Sequence, residues 1–376
     1  MKIVLAPDSF KGNMRSPAVC AALAKGIRQV LPAATILSVP MADGGEGTTE
    51  SVAAATGVPL QHVPATGPLG QPVQAAFALL PDGTAVAEMA SASGLELLRC
   101  DELNPLKTST FGTGELIAAM LNAGARRIIL GIGGSATVDG GAGMAQALGF
   151  RLRDAAGNDL PPGAEHLSRL ATIGSDTIHP RLRDCAILVA CDVTNPLLGP
   201  QGAVAVFAPQ KGATPAMLPV LEANLARLAT VWKKTGMLAS VAEPGDGAAG
   251  GLGTGLRAFC GAKLVSGARL VADAVGLNQA LEGAQLVVTG EGCSDASTSF
   301  GKLPAVVAEL AAEKGIPTIL LPGGLRGDTK GLEQVFAGVF PICGGPMSLE
   351  DAFAQAPANL ERTIRNVLSL WLAARR

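Results

Sequence analysis

The stretch Arg126–Phe150, RRIILGIGGSATVDGGAGMAQALGF, restricts the fold more than any other part of the chain. A short apolar run, Ile128 to Ile132, stops at Gly133-Gly134-Ser135. A loop holding Asp139 among glycines follows, and a helical pattern begins near Gly143. Strand, glycine-rich loop and helix in succession predict an α/β unit. Its backbone amides would be aimed at an anion, with the helix N-terminus adding partial positive charge. The spacing matches neither a Walker A loop nor a dinucleotide fingerprint. In a chain with 48 glycines among 376 residues, a tight turn is the competing reading.

The rest of the chain repeats this grammar. Lys2 to Ala6, Thr35 to Val39, Leu286 to Thr289 and Pro317 to Leu321 are short apolar runs, and a further run ends near Ile342. Helical periodicity covers Ser16 to Leu31, where Ser16 reads as an N-cap and Pro17 as the first helical residue. It recurs after Glu46, from Pro304 to Lys314, and along a C-terminal face of Leu360, Ile364, Val367, Leu368 and Trp371. Buried strands alternating with helices predict a parallel sheet covered on both faces.

Residues from about 63 to 285 have a different texture, with many Gly/Pro turns, a strand Ala186 to Ala190, and helices near Gly114–Ala123 and Pro215–Lys234. The expected architecture is two α/β domains. A flavodoxin- or Rossmann-like parallel-sheet domain, 1–62 plus 286–376, is discontinuous, and a second α/β domain, 63–285, is inserted into it. The active site is expected in the cleft. The segment Gly245–Gly255, GDGAAGGLGTG, is open to three readings: a hinge, a second phosphate loop or close helix packing.

Composition removes several classes of function. At 48% apolar and 16% charged residues the chain is not disordered, and a net charge of −2 without a basic stripe points away from nucleic acid. No apolar stretch is long enough for a membrane span. The seven cysteines are scattered, odd in number and without a CxxC pair, which fits reduced thiols in the cytoplasm. Cys191 and Cys293 read as buried fillers. The three histidines, His62, His166 and His179, have no metal-ligand spacing, and tyrosine is absent.

Polar residues and glycines gather just after the expected strands, where open α/β sheets bind ligands. They are Asp8-Ser9-Phe10-Lys11-Gly12, Asp43-Gly44-Gly45-Glu46-Gly47, Gly290-Glu291-Gly292 with Asp295, and Pro322-Gly323-Gly324. Phosphoryl transfer needs cations and amides around phosphates, carboxylates for a metal, and a group to take the acceptor's proton. The amides of Gly133, Gly134 and Ser135 suit phosphates, as do Lys11, Lys211 and Lys302, each beside a glycine. Asp8, Asp43, Glu46, Asp139, Asp192, Glu291 and Asp295 suit a metal or a proton. Asp192, with Asn195 in CDVTNP, suits a base beside a Mg²⁺ or substrate contact, against the competing reading of a structural Asx turn before the proline.

The chain resembles the bacterial glycerate kinases. The resemblance rests on APDSFKG (6–12), PMADGGEGT (40–48), GPLGQPV (67–73), TFGTGELI (110–117), GIGGSATVDGGAGMAQALG (131–149), ACDVTNPLLGPQGA (190–203), FAPQKGA (207–213), GAAGGLGTGL (247–256) and VTGEGCSDASTSFGKLP (288–304). It departs from the family pattern at Val138, usually Asn, and at Cys293-Ser294, usually a basic residue and an aliphatic one. The resemblance implies ATP-dependent phosphorylation of D-glycerate to 2-phosphoglycerate, with Mg²⁺, in a cytoplasmic protein that leaves a homodimer open.

Residue chemistry then orders the expected roles. Asp192 first and Asp8 second are candidate bases, with Lys11 beside them. Gly133, Gly134, Ser135, Lys211 and Lys302 are expected at the phosphates. Ser9, Arg15, Asn195 and Arg326 are expected at the acceptor, and Asp43, Glu46, Glu291 and Asp295 at the metal. A kinase giving 3-phosphoglycerate and a non-catalytic sugar-acid-binding regulator are the rivals. A dehydrogenase is weakened by the missing dinucleotide fingerprint.

Overall fold

A computed structural model describes residues 1–299 and 301–374. Along the chain the strands of its two main sheets are β1 (Lys2–Leu5), β2 (Thr35–Ser38), β3 (Leu60–Thr66), β4 (Pro72–Leu79), β5 (Thr84–Glu88), β6 (Arg127–Gly131), β7 (Ala186–Ala190), β8 (Lys263–Val265), β9 (Leu286–Thr289), β10 (Thr318–Leu320) and β11 (Gly338–Val339). The helices that matter below are α1 (Ser16–Val30), α2 (Thr48–Thr56), α3 (Phe111–Asn122), α4 (Ala142–Ala147), α5 (Met217–Lys234), α6 (Ala248–Cys260), α7 (Leu303–Ala312) and α8 (Leu349–Ala373). Contacts divide the chain into two compact units. The first holds Met1–Asp43, Glu50–Gly57 and Ala268–Arg376, and the second holds Gly44–Thr49 and Val58–Gly267.

The first unit is built on a five-stranded sheet in the order β11-β10-β9-β1-β2, parallel throughout. In sequence order this is 2-1-3-4-5, the flavodoxin-like arrangement, and its order reverses between β1 and β9. The all-apolar strands predict such two-sided burial: Ile3, Val4 and Leu5 are fully buried, as are Val287 and Val288. On one side Val19, Leu23 and Ile27 of α1 meet Leu360, Ile364 and Leu368 of α8. Each fully buried Leu or Ile contributes about 1.5–3 kcal/mol. Gly26 permits the close approach, since a Cβ there would lie 2.6 Å from Ile364 and 2.7 Å from the Glu361 carbonyl.

Ser16 is not the cap that the sequence predicts. Arg15 holds the N-cap position without a side-chain hydrogen bond. The buried Ser16 hydroxyl instead donates to the Pro7 carbonyl (2.6 Å) and accepts from the Met41 amide (3.0 Å). It ties together the chain segments leaving β1 and β2.

The second unit carries a six-stranded mixed sheet in the order β8-β7-β6-β5-β4-β3. Strands β5 to β8 are parallel, whereas β3, β4 and β5 form an antiparallel meander that the sequence reading missed. Strand β3 pairs with β4 from Leu60 to Thr66, so residues 60–62 belong to this sheet rather than to the first domain. Residues 268–285 group with the first unit. The core of the second unit includes Phe77, Leu116, Ile117, Met120 and Trp232. An aromatic chain runs from Phe150 to Phe259 (5.0 Å) and on to Trp232 (5.7 Å). Among the described residues no helix is long and apolar enough to cross a membrane.

Candidate active site

In the first unit the sheet order reverses between β1 and β9, and the loops leaving those strands hold the polar residues. The Asp8 amide donates to the Gly290 carbonyl (2.8 Å), and the Gly323 amide donates to the Glu291 carbonyl (2.9 Å). Glycine is required where these loops touch. A Cβ on Gly290 would lie 2.4 Å from the Leu321 oxygen, and one on Gly323 2.3 Å from the Gly292 oxygen.

Asp8 is only 6% exposed, and its Oδ1 accepts the Ser9 amide at 2.7 Å. Burial, then the neighbouring Asp43, pushes its carboxyl up to about 7, with Glu291 adding to the rise. Lys11 Nζ lies 3.2 Å from Asp43 Oδ2. Burial alone would lower the Lys11 ammonium, but Asp43 and Asp8 outweigh it and hold it above its ordinary value. Glu291 Oε1 accepts hydrogen bonds from the hydroxyls of Ser294 and Thr298, both at 2.7 Å. Three carboxylates and one ammonium from sequence-distant loops are thus brought together.

A second, more exposed group lies in the same unit. Asp295 is 3.6 Å from Lys302 Nζ and 3.9 Å from Arg326, and Ser297 hydrogen bonds hold its carboxyl below the usual range. Asp295 thus has two cations, Lys302 and Arg326, within 4 Å. Arg15 lies 3.8 Å from Glu50. Cys293 is exposed, against the expected filler role.

In the second unit, Gly133 and Gly134 follow β6 and are exposed, and Gly134 has a φ of +72°. The helix behind them is not open to an anion. Asp139 already occupies its N-terminus, accepting from the amides of Gly141 (3.1 Å) and Gly143 (3.2 Å) and from the amide and hydroxyl of Thr110 (both 2.8 Å). Asp139 is thereby a structural cap, and burial raises its carboxyl.

Lys211 does not meet solvent as a phosphate-binding lysine would. It is 1% exposed and donates to Ser135 Oγ (2.6 Å) and to the Thr137 carbonyl (2.7 Å). The segment Gly245–Gly255 resolves to close packing. Ala249, Gly250 and Gly251 form a left-handed turn, and a Cβ on Gly250 would lie 2.0 Å from the Thr137 oxygen.

Asp192 follows β7, which pairs with β6, and its Oδ1 accepts the Gly267 amide at 3.1 Å. Asn195 serves a turn: its side chain donates to the Gln201 carbonyl (2.9 Å), and its own carbonyl accepts the Gly247 amide (2.8 Å). Glu88, at the end of β5, was not singled out by sequence. It accepts the amides of Gly47 (3.1 Å) and Thr49 (2.7 Å) and so anchors the segment that carries the exposed Glu46. A lone carboxylate closing the apolar run TAVAE was the available signal.

An acidic cluster with a lysine at a sheet switch point, and a glycine loop in a second α/β unit, fit a phosphotransferase of the α/β class. The model of the glycerate kinase family matches residues 3–372. The glycerate kinase of Bacillus subtilis (strain 168) is 47% identical over 369 residues, covering 98% of this chain and 97% of that protein. The glycerate 2-kinase of Escherichia coli (strain K12) is likewise 47% identical, with the same coverage. A crystal structure of a candidate glycerate kinase 2 from Salmonella typhimurium LT2 superposes with a TM-score of 0.90 at 46% identity, covering 100% of this chain and 99% of that one. The chain belongs to the glycerate kinase family, and it is a kinase.

Proposed function

We propose that this chain transfers the terminal phosphoryl group of ATP to the C2 hydroxyl of D-glycerate, giving 2-phosphoglycerate and ADP. The reading is carried by the convergence of Asp8, Lys11, Asp43 and Glu291 at the switch point of the first sheet. Open α/β sheets bind ligands at that point, and this chain is 47% identical to a glycerate 2-kinase.

The donor set fits Mg²⁺. Asp43 and Glu291 crowd Asp8 with like charge, which a divalent cation relieves, and all are hard oxygen ligands. Among the described residues no group of three His, Cys, Asp or Glu forms a ready-made metal cage. Mg²⁺ needs none, since it is commonly held by one or two carboxylates together with phosphate oxygens and water. Asp43 and Glu291 would hold it, and it would neutralise charge on the phosphates.

Asp8 takes the proton of the acceptor hydroxyl as the new O–P bond forms and the bond to ADP breaks. We prefer it to Asp192 because Asp8 is buried among charged partners, whereas Asp192 is exposed and its Oδ1 is tied to the Gly267 amide. Lys11 offsets charge on the transferred group. Lys302 and Arg326, both beside Asp295, would meet an anionic group of the substrates, and the amides at Gly133 to Ser135 would receive phosphate oxygens.

An ADP-release assay across small hydroxy acids, with the product identified by NMR, tests the reading. Turnover is expected with D-glycerate and ATP, to depend on Mg²⁺, and to place the phosphate on C2. Phosphate on C3 would overturn the assigned regiochemistry, and no ADP release with any hydroxy acid would overturn the reading as a whole.

A further inference from the structure

Lys211 is the most unusual charged residue in the second unit. A lysine is seldom fully buried, because desolvating its ammonium is costly unless partners replace the lost water. Here the partners are both in the glycine loop: the hydroxyl of Ser135 and the carbonyl of Thr137. The nearest influential charge is Asp139, whose own oxygens are taken by Thr110, Gly141 and Gly143. Among the described residues, therefore, Lys211 forms no direct ion pair that explains its burial. What it holds is the loop.

The geometry also fixes a proton. While Lys211 is protonated, its ammonium is a donor with no acceptor capacity, so Ser135 Oγ accepts from it. The hydroxyl's own hydrogen is then turned away from the lysine, and among the described residues it has no protein acceptor. Ser135 sits directly after the exposed Gly133 and Gly134.

We propose that Lys211 is a positioning residue. It acts from beneath the glycine loop to aim the Ser135 hydroxyl, as a donor, at an anionic oxygen of the nucleotide. This deepens the proposed function and rests on its placement of phosphate at the glycine loop. A hydroxyl polarised by an ammonium behind it is a charge-assisted donor, stronger than a free serine.

The test compares Lys211→Met, Ser135→Ala, the double variant and Gly134→Val by steady-state kinetics with ATP and D-glycerate, with thermal unfolding measured alongside. Lys211→Met is expected to raise the KM for ATP about tenfold to a hundredfold. The KM for glycerate should hardly move, and the melting temperature should not fall at neutral pH, because a buried charge is replaced by an apolar chain of similar length. Ser135→Ala should give a similar rise, and the double variant no more than the larger single effect. If Lys211→Met folds poorly, Ser135→Ala against Ser135→Thr decides: the threonine hydroxyl should restore most of the affinity for ATP.

An unchanged KM for ATP in Lys211→Met, or single effects that multiply in the double variant, would overturn the proposal. Gly134→Val separates this from failure of the underlying reading. A raised KM for ATP there, with Lys211→Met unaffected, refutes the role of Lys211 alone. An unmoved KM in both refutes phosphate binding at the loop.

Discussion

Two residues show how burial shifts the protonation of ordinary side chains. Asp8 and Lys211 are both shifted toward neutrality, the carboxyl upward and the ammonium downward, and both to about 7. For Lys211 burial is the largest cause, and Asp139 opposes it. The sign of the stability effect follows. The unfolded chain keeps the lysine proton up to the ordinary value of 10.5, whereas the folded chain releases it near 7. Between those values the unfolded state binds more protons, so stability rises with pH. Below the window both states are charged, and the folded one bears the full cost of the buried ammonium. The stability of the wild-type protein relative to Lys211→Met is therefore expected to increase from pH 7 to 10, measured by urea unfolding. A difference independent of pH would contradict the buried, deprotonating lysine. Neither shift could be read from sequence: Lys211-Gly212 looks like a surface turn, and only tertiary contacts place it under Ser135.

At the scale of elements, the sequence announced strands and helices wherever apolar runs met glycine or proline. The strands β1, β6, β7 and β9 lie within a residue or so of the expected runs, because buried parallel strands are continuous in hydrophobicity. The meander β3–β5 was hidden for the opposite reason. Strand β3 carries Pro64 and is half exposed, without a clean alternation. The glycine-rich segment of α6 was legible as special but not in kind. Its left-handed turn exists to bring its backbone against Thr137 and Gly140. Gly250→Ala is expected to cost at least about 2 kcal/mol, through a positive φ of +68° and a Cβ 2.0 Å from the Thr137 oxygen. Gly261→Ala, with a similar φ of +64° and nothing within 4 Å, should cost only about 1 kcal/mol. Equal losses of melting temperature in the two variants would show that the contact with the glycine loop is unimportant.

For the whole molecule, what the sequence could not reveal is pairing across long separations. Ile3 stands opposite Leu286, and that register sets Asp8 beside the loop of Glu291. The loops were recognisable one at a time as glycines with carboxylates. The strand order that makes β1 and β9 neighbours, and so defines a switch point, is a property of the folded sheet. The ranking of the candidate bases proposed above turns on the same kind of long-range contact. Asp192 stood out locally, beside Asn195 and a proline, but the chain uses Asn195 for a turn and one Asp192 oxygen for the Gly267 amide. The most direct measurement is the turnover of Asp8→Asn at saturating MgATP and D-glycerate, since asparagine can still accept the Ser9 amide and keep the loop intact. A fall in kcat of about 10²- to 10⁴-fold with unaltered folding is the expected result. Turnover close to that of the wild type would contradict it.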